Sequence, residues 1–423
     1  MKPSVAVIGG GWAGCAAALT LAEAGVAVTL FEASRTLGGR ARGVEIDGRK
    51  LDNGQHLLLG AYASCLDLIA RATPGDATAW LWRRPLRVDQ PPAFRLACPP
   101  LPAPLHLLAG FAAARGLAWR DKWAAARWAR HLLTGPDMAD DTSVATLTRD
   151  QPEAVNRLLW HPLCVSALNT PPALASARVF VSVVRAAFGG RRADSDFLLP
   201  KCDLGTLFPM PAAARIAALG GRVRTSCRVR SIETASDAIT LRIADEALRF
   251  THAIVAVAPQ HLAALAEYVR ELDAARRMLA SYRYLPIATA YVQVDPAFRL
   301  SQPLIALCDG PAQFVFDRGQ SHGQPGMLAF VASAARDLPA DWLDRAEAQL
   351  RRFATPGPTH WRRAIVDKQA TYACTPGLSR PSVRTPHPRL FLAGDYTAGP
   401  FPATLESATS SGVQSAHALL DRL

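Results

Sequence analysis

Gly9, Gly11 and Gly14 stand in the spacing Gly-x-Gly-x-x-Gly, and an acid, Glu32, follows. A turn made of glycines lets a backbone come close to a pyrophosphate, and a carboxylate about 20 residues on can accept hydrogen bonds from ribose hydroxyls while disfavouring a 2′-phosphate. The flanking residues supply the elements this chemistry needs. An apolar run over 5–8 reads as a buried parallel strand and 13–24 has helical composition. Gly25 ends that helix, and 26–31 reads as a second strand closed by Glu32. The helix N-terminus then faces the anion.

The loop Leu37-Gly38-Gly39-Arg40-Ala41-Arg42-Gly43 comes next. Its glycines and arginines are placed to bring Arg40 and Arg42 to the outside of the same pyrophosphate. Near the other end of the chain, a short apolar strand over 389–393 leads into the turn Gly394-Asp395, and a helix is expected over 403–420 with Pro402 near its first turn. Asp395 on such a turn can accept a hydrogen bond from a sugar-alcohol hydroxyl. Backbone N–H groups and the helix dipole that follow can stabilise negative charge on a reduced isoalloxazine. The two ends of the sequence thus complement different parts of one cofactor, FAD.

The elements that position these residues fall in three blocks, 1–75, 205–265 and 360–423. The expected fold is α/β, a Rossmann-like FAD-binding domain assembled from them. The intervening blocks, 76–204 and 266–359, form a discontinuous α+β substrate domain. In the second, strands over 287–294, 313–317 and 327–332 and a helix near 272–280 suggest a sheet roofed by helices. Between 220 and 243 the pattern reads helix end at Gly220-Gly221, then a strand over 227–232, a turn and another strand.

Half of the 423 residues are hydrophobic and 19% are charged, which excludes a disordered chain. The net charge of +12 comes mostly from arginine, since the lysines are Lys2, Lys50, Lys122, Lys201 and Lys368. No zinc spacing, RNP-like stretch or recognition-helix pattern accompanies it, so a nucleic-acid partner is not expected, and no metal site is expected. Eight cysteines without a C-x-x-C pair, and a strand pattern directly after Met1-Lys2-Pro3, suggest a reducing, cytoplasmic setting. The longest near-apolar stretch, 101–114, falls short of the ~20 residues of a spanning helix.

The Gly-Gly-Arg loop after Glu32 and the closing set Gly394, Asp395, Pro402, Thr404, Glu406, Ser411 and Gly412 resemble the FAD-binding amine oxidase and carotenoid desaturase superfamily (amine oxidase/phytoene desaturase-like). Within it, "LDNGQHLLLGAY", "QATYACTPGLSRPSVRTPHPRLFLAGDYTA" and "PATLESATSSG" look like the squalene-associated FAD-dependent desaturases, the hydroxysqualene dehydroxylase group. The resemblance spans nearly the full length and is strongest at the ends; Phe401 and Ser407 depart from its pattern and put the pocket shape in question.

The resemblance implies a set of site residues. Gly9, Gly11, Gly14, Glu32, Gly38, Gly39, Arg40, Gly394, Asp395 and Thr404 hold FAD, the backbone near Val229 reaches toward adenine, and Gly54 crosses close to the flavin ring. It implies the reductive removal of the allylic hydroxyl of hydroxysqualene to give squalene, in bacterial squalene and hopanoid synthesis. That reaction needs an acid for the leaving hydroxyl. His56 is the candidate, with Asp52 either orienting it or capping the turn. Tyr291, Phe314, Phe316 and Phe330 either wall a lipid tunnel or form plain core, and Asp317-Arg318 reads as a salt bridge within a turn. Leu105 to Leu133 has the composition of an interfacial amphipathic helix or of buried packing. Partners are therefore the isoprenoid lipid, an anionic membrane surface on the inner face of the cytoplasmic membrane, and an external electron donor, because no second Gly-x-Gly-x-x-Gly follows a strand. A phytoene-type desaturase, a flavin amine oxidase and a flavin-binding lipid carrier are the rival readings.

Overall fold

A computed structural model describes every residue except Met1, Lys2, Pro74, Asp76 and Ala139; Met1 and Lys2, on which the cytoplasmic expectation partly rests, lie outside the described residues. Strand Ser4–Ile8 is buried on both faces, as its unbroken apolar run requires. It pairs in parallel with Ala27–Phe31 on one side and His252–Val255 on the other. Arg222–Arg224 and Leu390–Leu392 complete a five-stranded parallel sheet. Because successive side chains point to opposite faces, Val5 and Val7 meet helices Trp12–Glu23, Pro209–Ala218 and Leu405–Leu420. Ala6 and Ile8 meet a three-stranded antiparallel sheet built from Ser231–Thr234, Ile239–Ile243 and Glu246–Phe250.

The strand expected over 227–232 is shorter and later than the sequence suggested. Arg222–Arg224 joins the parallel sheet, residues 225–230 are irregular, and the next strand is Ser231–Thr234. The cause is local: Ser226 takes φ +51, and the N–H groups of Ser226 and Cys227 donate to the carbonyls of Ser34 and Glu32, which carries the chain across the end of the Glu32 strand.

A second sheet is antiparallel, in the order Leu304–Ala306, Phe314–Asp317, Met327–Ala332, Tyr284–Gln293, Trp361–Tyr372. Helix Trp342–Arg351 covers one face, its Trp342, Ala346 and Leu350 packing on Ala290, Val292 and Phe330. The other face carries Tyr291 and Phe316 against Leu51 and Leu199. Leu51 belongs to the hairpin Gly43–Ile46 and Arg49–Asp52, whose turn residues Asp47 and Gly48 both take positive φ as a tight two-residue connection demands.

The segment 105–133 is two helices, Leu105–Ala112 and Trp119–Thr134, where the sequence suggested one. Gly116 lies between them at φ +93, and a Cβ there would sit 2.0 Å from the Ala93 carbonyl. The connection thus crosses against the hairpin Arg87–Gln90 and Phe94–Ala97, and no continuous helix passes that point. Among the described residues no helix is long and apolar enough to cross a membrane.

Candidate active site

A cavity of about 1940 Å³ runs from the glycine turn to the two helices at 105–134. At one end Gly9 takes φ +110, and a Cβ on it would lie 2.5 Å from the Ala256 carbonyl. A Cβ on Gly14 would lie 1.8 Å from the Gly9 carbonyl, so only glycine lets this helix close on the turn. A Cβ on Gly11 would meet no atom nearer than 3.9 Å, so the space beside the turn there is open. Glu32 braces the same turn, Oε2 accepting from Gly10 N at 2.7 Å and Oε1 from Ser34 N at 2.7 Å.

The Gly-Gly-Arg loop lies directly on this turn. Gly38 N donates to Gly10 O at 2.8 Å, and Trp12 Nε1 donates to Ala41 O at 2.9 Å. Asn53 clamps the loop from the far side, Nδ2 donating to Arg40 O at 2.8 Å and Oδ1 accepting from Arg42 N at 3.0 Å. Arg40 reaches across to the other end of the sequence, donating to Ala370 O at 2.9 Å and to Asp395 Oδ1 at 2.5 Å. Arg42 turns back to Gly39 O.

The Gly394-Asp395 turn is equally constrained. A Cβ on Gly394 would lie 2.3 Å from the Tyr396 ring, and Gly394 N donates to Ser411 Oγ at 2.8 Å. The Asp395 carbonyl accepts from Tyr372 and from Ser407, which gives that departure from the family pattern a defined place. Phe401, the other departure, lines the cavity. Thr404 is the N-cap of Leu405–Leu420, its Oγ1 accepting from Ser407 N at 3.1 Å. Glu406, on the first turn, accepts from Ser64 N and Cys65 N and so caps helix Ala63–Ala72; burial raises its pKa, against those two N–H bonds.

Val229 lines the cavity within the irregular 225–230 segment, and its N–H and C=O bond to no other described residue. An open glycine cradle, a helix N-terminus, a carboxylate at the strand end and a backbone edge therefore lie along one cavity. Donors and acceptors of this kind fit FAD, which these residues would hold.

The Asp52–His56 stretch lies beside the cavity, and its members have separate roles. Gly54, Gln55 and His56 line it. Asp52 does not: it is buried, Oδ1 accepting from Leu204 N at 2.8 Å and Oδ2 from Arg318 Nη1 at 3.1 Å. Burial raises its pKa, opposed chiefly by Arg318. With both oxygens engaged elsewhere, Asp52 makes no hydrogen bond to His56, and the orienting role expected of it is corrected to an anchor for Arg318. The Asp317-Arg318 turn pair is corrected too. Asp317 caps its own turn and accepts from Leu300 N, while Arg318 points inward to Asp52, Gln55 and Gln324.

His56 Nδ1 lies 2.6 Å from the Gly54 carbonyl. A carbonyl only accepts, so Nδ1 carries a proton, and in the neutral ring Nε2 then holds a lone pair. Burial lowers the ring's pKa, against the charge of Asp52 and the Gly54 bond. A neutral ring of this tautomer accepts at Nε2, which does not fit the general-acid role the sequence suggested.

Farther along, Phe314 and Phe316 line the cavity with Ile287, Leu304 and Val331, whereas Tyr291 and Phe330 are core. Asn169, which sequence reasoning passed over, takes φ +47 at a helix end. It ties the helical insert to the sheet, donating to Thr371 Oγ1 at 2.9 Å and accepting from Ala334 N at 2.6 Å. Its αL conformation, to which asparagine is suited, is the signal that could have marked it.

Comparison with known proteins agrees with this geometry. The flavin containing amine oxidoreductase family matches residues 12–420. A hydroxysqualene dehydroxylase of Sinorhizobium fredii is 26% identical over 98% of each chain. A 15-cis-phytoene desaturase of Synechococcus elongatus is 23% identical over 99% of this chain and 96% of its own. An oxidoreductase of Methanosarcina mazei superposes with a TM-score of 0.76 at 16% identity, covering 98% of this chain and 99% of that one. The chain belongs to the flavin-containing amine oxidoreductase family, and it is an FAD-dependent oxidoreductase.

Proposed function

We propose that the protein reductively removes the allylic hydroxyl of hydroxysqualene to give squalene. The observation that carries this reading is the continuity of the cavity. Its lining passes from Arg40 and Asp395, past Gln55 and His56, to an apolar stretch of Phe314, Phe316, Leu107 and Phe111, and on to Trp119 and Trp123. The space beyond the cofactor cradle is lined mostly by apolar side chains, as a C30 hydrocarbon chain requires, and Gln55 and His56 stand in its wall as polar groups for a hydroxyl. The similarity to hydroxysqualene dehydroxylases over almost the whole chain supports the same substrate.

FAD held in this cradle and reduced by two electrons would supply a hydride and a proton. As the new C–H bond forms from that hydride the C–O bond breaks, and the hydroxyl takes up the accompanying proton and leaves as water. The residues of the chain hold the alcohol in place and exclude bulk water. Reducing equivalents come from an external reduced flavin or reductase.

The lipid enters from an anionic membrane surface. Leu105, Leu108, Trp119 and Trp123 are 53%, 57%, 62% and 63% exposed on the two helices at the cavity's far end. Lys122, Arg127 and Arg130 line the same end, and Lys122 lies 6.0 Å from the Trp119 ring centroid. Exposed tryptophan and leucine among basic residues suit an interfacial helix pair.

The test is anaerobic. Protein with chemically reduced FAD is mixed with hydroxysqualene in detergent, and flavin reoxidation is followed beside extraction for squalene. Stoichiometric squalene supports the reading, and a flavin that stays reduced discards it. A second reading, phytoene-type desaturation with hydride moving toward the flavin, is favoured by the full-length similarity to 15-cis-phytoene desaturase; oxidised protein bleached anaerobically by phytoene would establish it.

A further inference from the structure

Gln55 and His56 stand side by side in the cavity wall, and their hydrogen-bonded neighbours determine which of their atoms donate and which accept. Arg318 is 1% exposed and lies over the Tyr291 ring, and its guanidinium offers only donors. Its Nη1 donates to Gln55 Oε1 at 2.7 Å and to Asp52 Oδ2 at 3.1 Å, and its Nε donates to Gln324 Oε1 at 2.7 Å. The amide oxygen of Gln55 must therefore face Arg318, which turns the amide NH₂ the other way. That NH₂ makes one long contact, 3.4 Å to His56 O, and keeps an N–H to give. His56 complements it. With the proton on Nδ1 toward Gly54 O, Nε2 is an acceptor that bonds to no other described residue.

A hydroxyl is the small group that both donates and accepts, and a neighbouring donor and acceptor are its complement. We propose that Gln55 and His56 form a two-point hydroxyl-recognition site, Gln55 Nε2–H donating to the substrate oxygen and His56 Nε2 accepting from its O–H, with Arg318 as the positioning residue. The site rests on the reading of the substrate as an isoprenoid alcohol, and it explains how the cavity separates an alcohol from the hydrocarbon made from it. A hydrocarbon would leave the buried Gln55 amide unpaired.

Oxidised holoenzyme is titrated with hydroxysqualene and with squalene in the same detergent, and binding is read from the flavin absorbance. Gln55→Leu is expected to weaken hydroxysqualene binding roughly tenfold or more while leaving squalene binding within about twofold. Arg318→Lys, also a pure donor, is expected to keep the alcohol-over-hydrocarbon preference, and Arg318→Met to lose it. That ratio is what a merely structural role would not move, and Gln55→Leu decides the matter if Arg318→Met does not fold. A Gln55→Leu protein that binds both ligands as the wild type does, or loses both equally, overturns the site alone, provided hydroxysqualene reoxidises reduced wild-type FAD. Failure of that wild-type reaction overturns the substrate reading beneath it.

Discussion

Arg40 and Asp395, 355 residues apart in sequence, meet in the cavity wall with Nη2 2.5 Å from Oδ1. The pair joins the Gly-Gly-Arg loop to the Gly-Asp turn, and so joins the two halves of the cofactor site. A charged hydrogen bond of this kind contributes roughly 1.5–3 kcal/mol. Asp395→Asn should therefore raise the FAD dissociation constant roughly ten- to hundredfold, measured by fluorescence as FAD is released on dilution. Unchanged retention would mean that the two motifs hold FAD independently.

Gly14→Ala should fail differently. Its Cβ would lie 1.8 Å from Gly9 O, which a backbone carbonyl cannot tolerate. Overpacking costs ~1–3 kcal/mol, and relief requires the helix to move off the turn. The variant should melt earlier in thermal denaturation and come off a column without yellow colour. Gly25→Ala has open space for its Cβ but a strained φ of +76, so it should lose some stability and still keep the colour.

Acid should destabilise the fold before the carboxylates titrate. Burial, then Arg318, pushes His322 down to about 3, and burial, then Arg389 and His387, pushes His252 down to about 4. An unfolded histidine titrates near ~6.5, so below that pH the unfolded chain takes up protons that the folded chain does not. Stability present above ~6.5 is lost as pH falls, about 2 kcal/mol per histidine by pH ~5. Asp52 and Glu406, both raised by burial, act in the opposite sense nearer their own range. Melting temperature should thus drop between pH 7 and pH 5, and His322→Asn should flatten the slope. A flat wild-type profile would contradict the burial of neutral imidazoles.

Trp119→Ser with Trp123→Ser should weaken flotation with anionic vesicles at least tenfold. Full burial of a large apolar side chain is worth ~1.5–3 kcal/mol, and an interfacial tryptophan gains part of that. Neutral vesicles should bind less well than anionic ones even for the wild type, given Lys122, Arg127 and Arg130 at the same end. Equal flotation of wild type and variant would remove the membrane surface as partner.

The cofactor end was legible because its chemistry demands rare residue types at fixed spacing: Gly9, Gly14 and Gly394 stand where a Cβ has no room. The buried polar network was not legible. Asp317 and Arg318 are adjacent in sequence and look like a local pair, but the side chains diverge, and nothing in the order of residues says that Arg318 will meet Asp52, 266 positions away. Likewise, the aromatic strand residues Phe314, Phe316 and Phe330 look alike in sequence. The sheet's pairing and the layer against each face decide that two of them border the cavity and one packs under Trp342. The 225–230 segment was misplaced because its apolar residues serve a backbone held by Glu32 and Ser34.

Helix Leu405–Leu420 packs on helix Trp12–Glu23 so closely that a Cβ on Gly412 would lie 2.2 Å from Ala13 O. For a chain on the ribosome this has a consequence. The glycine turn emerges before its partner helix, the Gly-Asp turn and the sheet strand Leu390–Leu392 are translated, and a long-range contact of this kind forms late. The nascent N-terminal strands must wait with one edge unpaired, the condition that invites aggregation. Ribosome-bound chains stopped short of residue 412 should therefore depend on chaperones, and a stop codon placed before that helix should yield inclusion bodies in place of a colourless soluble protein.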